Sequence, residues 1–228
     1  MENLLDNYNA VLENIRKIKN NSPTFPEHFK LIAVSKTFGE DVISKLLEKG
    51  HRIFGENKIQ EAENKWTNLK KNFSDVDLHF IGPLQSNKAK KALEIFNCIH
   101  SIDREKLVNK INDIFEYNEE LKLKNHKFFV QVNTGDEEQK SGIKFKDTVE
   151  FVKWSRYEQK LNVVGLMCIP PITQDSTYHF IKLKKLSDDL KLPFTSMGMT
   201  NDYEKAINCG ATHIRVCLLY TSDAADES

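Results

Sequence analysis

The chain has 228 residues, with 33 Lys+Arg against 33 Asp+Glu and four cysteines. Balanced charge and the lack of a long basic run interleaved with aromatics exclude an electrostatic footprint for nucleic acid. The widely spaced Cys98, Cys168, Cys209 and Cys217 form no C-x-x-C pair, which argues against a disulfide framework or a zinc site and for a reducing compartment, with the cytoplasm expected. Glu2 and Asp6 interrupt the N-terminus, so no signal or transit peptide is expected, and no apolar run reaches membrane-spanning length.

Leu4, Leu5, Tyr8, Val11, Leu12, Ile15 and Ile18 fall at three- and four-residue steps, the apolar stripe of an amphipathic helix over residues 1–20. Asn20-Asn21-Ser22-Pro23 ends it. A short apolar run, Leu31 to Thr37, then reads as a strand buried on both faces, and strand parity puts Ile32, Val34 and Lys36 on one side. A lysine at the edge of a core has its neutral amine favoured, and a neutral amine attacks a carbonyl to form a Schiff base. The competing reading is a solvated lysine just past a strand.

From there strands and helices alternate. Val42, Ile43, Leu46 and Leu47 mark a helix closed by Gly50, and Arg52 to Gly55 a second strand. Ile59, Ala62, Trp66 and Leu69 lie on the next helix, and Leu78 to Gly82 form a third strand. A helix over 86–96, a strand from Cys98 to Ser101, and a helix carrying Leu107, Ile111, Ile114 and Phe115, with Asp103 as its cap, follow. Phe128 to Asn133 is the fifth strand, a helix surrounds Val149 to Trp154, and Asn162 to Cys168 is the sixth, stopped by Pro170-Pro171. A helix with Phe180, Leu183, Leu186 and Leu190, a strand at Phe194 to Ser196, a helix over 201–209 and a strand at His213 to Val216 complete eight units. Such alternation predicts an α/β fold with a parallel sheet, and eight units predict a closed (β/α)8 TIM-type barrel over residues 1–216. No G-x-G-x-x-G follows the first strand, against an open dinucleotide-binding sheet. Residues 217–228 are small and acidic without periodicity, expected to be a non-native or disordered tail that leaves the barrel without its final helix.

In a barrel the chemistry collects at the C-terminal ends of the strands. The residues there include Lys36, Glu56, Asn57, Gln85, Ser86, Asn87, Asp103, Asn133 and Thr134, then Ser196 to Thr200, and Arg215. Ser196 to Asn201, with hydroxyls and Gly198, reads either as a phosphate loop or as a turn and helix cap. Set beside a strand-end lysine, it makes a phosphate-bearing aldehyde the economical ligand, with Arg215 as a cation for the phosphate or a ring nitrogen. The histidines are not expected to cluster, and His79 reads as a satisfied core residue or one facing the site. Glu137, Glu138 and Lys140 read as a solvated loop, with Lys140 a candidate to take an aldehyde from Lys36 by amine exchange.

The strings AVSKT, FGENKIQEA, HFIGPLQSNKAK, HSID, QVNTG, GLMCIPP and SMGMTNDYEKAI, in this order from about residue 10 to Val216, resemble the pyridoxal phosphate homeostasis (YggS-like) family. The resemblance implies an alanine-racemase N-terminal-like barrel (fold type III) holding pyridoxal 5′-phosphate (PLP) as an aldimine on Lys36. It also implies Ser196 and Thr200 in the phosphate loop, Arg215 as the arginine of the last strand, and Asn57 close to the cofactor. The implied function is a monomeric, non-catalytic carrier in vitamin B6 homeostasis that delivers PLP to apo enzymes, since racemases of this fold use an added β domain. A small PLP-dependent racemase or decarboxylase and a Schiff-base phosphosugar aldolase are the alternatives. Cys217 stands where the family pattern has a glycine-containing phosphate contact, so weaker cofactor retention and lower stability are expected than with that ending.

Overall fold

In the computed structural model, residues 3–218 are described, and the greater part of the tail expected from residue 217 lies outside them. Eight strands close into a parallel barrel: β1 (Lys30–Val34), β2 (Ile53–Glu56), β3 (Asp77–Phe80), β4 (Cys98–Ile102), β5 (Lys127–Asn133), β7 (Val163–Met167), β8 (Phe194–Met199) and β9 (His213–Cys217). β9 returns to β1, pairing Ile32 with Arg215 and Val34 with Cys217. A two-residue strand β6 (Ile143–Lys144), not foreseen, extends the pairing at the C-terminal end of β5.

Period two sorts the strand residues. Leu78, Phe80, Ile99, Phe128, Val130, Ile214 and Val216 join the large core between sheet and helices, while Cys98, Phe129 and Met167 form a separate cluster. That second cluster is inside the barrel, which is a filled core and not a pore.

The outer ring consists of α2 (Glu40–Glu48), α3 (Ile59–Asn72), α4 (Ala89–Ile95), α5 (Glu105–Tyr117), α6 (Glu119–Leu123), α7 (Thr148–Lys153), α8 (Ser176–Asp189) and α9 (Tyr203–Asn208). Gly50 takes φ 89 and ends α2 as expected. Asp103 does not cap α5, because the chain stays extended one residue longer and Arg104 occupies the N-cap position without a side-chain cap. α1 (Asn3–Asn21) buries Leu4, Tyr8 and Ile15 against the barrel wall. Its Asn14 donates to the Tyr203 hydroxyl at the start of α9, and its Asn7 to Leu218 O just past β9. α1 thus packs beside α9 and reaches the end of β9. Among the described residues no helix is long and apolar enough to cross a membrane.

Candidate functional site

β1 ends at Val34, earlier than its apolar run, and Ser35 N–H still bonds Gly55 O of β2. The next residue, Lys36, is exposed at the C-terminal mouth and not held against the core edge. The strand has ended two residues earlier, and just after Lys36 the chain turns at Thr37, which has φ 67, a left-handed conformation unfavourable for a β-branched residue.

The backbone on both sides of Lys36 is clamped by a buried polar network. Glu56, fully buried, accepts from Ser35 Oγ at 2.7 Å and Trp66 Nε1 at 3.0 Å, and pairs with Lys65 at 2.8 Å. Lys65 also donates to Ser35 O at 2.8 Å and Glu61 at 2.9 Å, and Glu61 accepts the Thr37 N–H. Burial acts to raise the Glu61 carboxyl, but the hydrogen bonds from Lys65 and Thr37 outweigh it and hold the group below its ordinary value. The sequence places Glu56 at the mouth; the contributions of Lys65, Trp66 and Glu61 come from a helix whose pattern shows only its apolar register.

Asn57 follows Glu56 and is half-buried, with its Oδ1 buried and unpaired. Gly82, after β3, packs directly on it: a Cβ at Gly82 would collide with Asn57 O.

Across the barrel, β8 runs three residues past Ser196, so Ser196 lies within the strand, fully buried, rather than in the loop after it. Its Oγ accepts from Arg215 Nη1 at 2.6 Å and contacts His100 Nδ1 at 2.9 Å. Arg215 is 4% exposed and also donates to Cys168 O at 2.9 Å. Burial lowers its pKa, and no carboxylate within 4.0 Å pairs with it among the described residues. Gly198 has φ 90, and a Cβ there would stand 2.5 Å from Ala206 Cβ, so the strand end lies tight on α9. Thr200 Oγ1 accepts the Cys217 N–H at 3.1 Å, joining the ends of β8 and β9, while β9 register places Cys217 beside Val34. Lys36, Asn57, Thr200 and Cys217 therefore share one mouth, with Ser196 and Arg215 inside the barrel below it.

A cleft of about 570 Å³ opens on the neighbouring part of the same face, lined by Asn57, Lys58, Phe80, Gln85, Lys88 and Arg104 among others. Asn57 is the one residue implied to hold the cofactor that lines it; Gln85 and Asp103 from the wider set of strand-end candidates line it too. Lys140 pairs with Glu137 at 2.8 Å on the surface.

The expectation that the histidines stay apart is wrong. His79, His100 and His213 gather inside the barrel, with ring centroids 5.1 to 6.1 Å apart. Burial lowers the pKa of all three, so they are neutral. The missed signal was parity: His79 with Cys98 and His100 occupy inward positions on adjacent parallel strands.

The family model for the alanine racemase N-terminal domain matches residues 7–221. A pyridoxal phosphate homeostasis protein of Vibrio alginolyticus is 33% identical over 226 residues, covering 95% of each chain. PipY of Synechococcus elongatus PCC7942, solved with PLP bound, is 29% identical with a TM-score of 0.74, covering 90% of this chain and 96% of PipY. Alanine racemase of Corynebacterium glutamicum, 12% identical with a TM-score of 0.62, shares the fold over 92% of this chain and 59% of its own.

Proposed function

This chain belongs to the pyridoxal phosphate homeostasis protein family, built on the alanine racemase N-terminal barrel, and from that premise we propose that it binds PLP covalently through Lys36 and serves as a carrier without catalysis of its own. The observation that carries the reading is the placement of Lys36. It is exposed on a strained turn at the barrel mouth, with the backbone before and after it fixed by the Glu56–Lys65–Glu61 network.

The surrounding residues fit the group. Asn57 Oδ1 is a buried acceptor without a partner, suited to a donor on the ligand. The Thr200 hydroxyl and the Cys217 N–H stand at the tips of β8 and β9, where barrels of this kind bind phosphate. Among the described residues the buried Arg215 guanidinium donates to a hydroxyl and a carbonyl and pairs with no carboxylate, so it supplies fixed positive charge on the barrel side of the mouth. When bound, PLP supplies an electron-poor ring and a reactive aldehyde; a carrier uses only the reversible capture of that aldehyde. Lys36 provides the amine, Glu56 and its partners orient it, and the exposure of Lys36 leaves the linkage open to exchange with amines of recipient proteins.

Adding PLP to the purified chain tests this directly. One equivalent of bound chromophore is expected, absent in Lys36→Ala. Incubating the loaded protein with single amino-acid enantiomers is expected to leave their configuration unchanged; racemisation would replace the carrier reading with an enzymatic one.

A further inference from the structure

Inside the barrel, away from Lys36, stands a group of side chains that PLP binding does not use. One nitrogen each of His79 and His100 and the Cys98 sulfur all lie within 4.8 Å of one another. All three residues are at most 2% exposed. His79 and Cys98 are direct neighbours across β3 and β4, and His100 follows two residues on, so the barrel register itself builds the cluster. We propose that His79, Cys98 and His100 form a binding site for a single Cu(I) ion.

The two imidazoles face each other across the cluster, and an ion bound between them must widen their nitrogen separation to about 3.5 Å, the spacing of two ligands about 2.0 Å from a trigonal ion. His79 Nδ1 and His100 Nε2 face each other at 2.8 Å, with a single proton between them. Their outer nitrogens each meet an acceptor: Ser196 Oγ lies 2.9 Å from His100 Nδ1, and Asp77 Oδ2 lies 3.1 Å from His79 Nε2. A carboxylate or hydroxyl at the outer nitrogen is what fixes the tautomer of a metal-bound histidine. The His79 Nε2 contact with Asp77, at 3.1 Å, is close but not fully aligned as a hydrogen bond. A small ring rotation on metal binding aligns it.

Charge and softness select the ion. Copper(I) and a thiolate neutralise one another, whereas a divalent ion would leave net charge in the interior, where burying charge is costly. Thiolate and imidazole donors suit Cu(I), and three of them complete a trigonal shell. The cysteine side of the site is apolar, where Cys98 packs with Phe129 and Met167 and His100 stacks on Phe129 at 4.3 Å, while the neutral His213 ring stands 6.0 Å from His79. Binding displaces one proton, that of the Cys98 thiol, to solvent. The proton between the imidazoles moves to His100 Nδ1, which then donates to Ser196 Oγ, and no change of oxidation state occurs.

The test is anaerobic titration of the full chain with Cu(I) against a chromophoric Cu(I) chelator, with X-ray absorption on the loaded wild-type protein. One tightly held equivalent is expected, with one sulfur near about 2.3 Å and two nitrogens near about 2.0 Å. Cys98→Ala is expected to lose the equivalent, while Cys209→Ser, at a half-buried cysteine outside the barrel, retains it. Less than a stoichiometric equivalent, retention by Cys98→Ala, a shell of two sulfurs, or preferential loading with Zn(II) from an equimolar mixture would each overturn the proposal. The absorption measurement on the wild type holds even where Cys98→Ala fails to fold.

Discussion

Replacing Lys65 by methionine keeps the aliphatic stem and removes only the charge from the network behind Lys36. The Lys65–Glu56 pair is 2.8 Å apart, with side chains 9% and 0% exposed. Removing one member of such a pair strands a buried charge, at a cost of about 3–5 kcal/mol. Glu56 keeps the Ser35 hydroxyl and the Trp66 N–H, which places Lys65→Met near the lower bound, about 3 kcal/mol. At roughly 2–4 °C per kcal/mol for a chain of this size, Tm falls by about 6–12 °C. Glu56→Gln on top of Lys65→Met removes the stranded charge, so the double variant is expected to be more stable than the sum of the single effects by about 1 kcal/mol or more. Urea denaturation of the four proteins in the cycle measures this. Lys65 also holds Ser35 O and Glu61, so PLP affinity is expected to drop as well. A cost below about 1 kcal/mol for Lys65→Met, or strict additivity in the cycle, would refute the buried network as the support of Lys36.

Gly82→Ala drives a methyl group into Asn57 O and is expected to cost about 1–3 kcal/mol in urea denaturation while weakening PLP binding, because the mouth residue itself must shift. Cys217→Gly is expected to slow PLP loss on dialysis, since it removes a Cβ beside the N–H that meets Thr200. His51 is buried as the neutral ring, its Nε2 paired with Ile53 O at 2.7 Å and its Nδ1 with the Tyr8 hydroxyl at 3.3 Å. Burial lowers its folded-state pKa, so the unfolded chain takes up more protons as the pH falls. The resulting stability is present above about pH 6.5 and lost below it, visible as a falling urea midpoint between about pH 7 and 5 with a shallower slope in His51→Gln.

Alternation of short apolar runs with amphipathic helices made the eight barrel strands legible, because buried parallel strands and ridge-forming helices each impose their own period. The boundary of β8 was hidden by Gly198, which looks like a loop signal but serves close approach to α9 within the strand. That error put Ser196 in a loop, whereas it lies within the strand, inside the barrel. Strand parity put Lys36 at the mouth, where it lies, but held it against the core edge, whereas it is exposed; the left-handed turn at Thr37 that follows is a conformation no residue type there announces. Contacts between distant residues were least legible. The histidine cluster joins residues separated by 21 and 113 positions through strand pairing, and nothing local to any of them marks it.

The central claim is that Lys36 alone, among many surface lysines, carries the cofactor. Reducing the PLP-loaded chain with borohydride and mapping the modified peptides tests it most directly. A single adduct on Lys36, absent in Lys36→Ala, is the predicted result; an adduct on Lys140 or any other lysine in its place, or a chain that takes up no PLP, would contradict it.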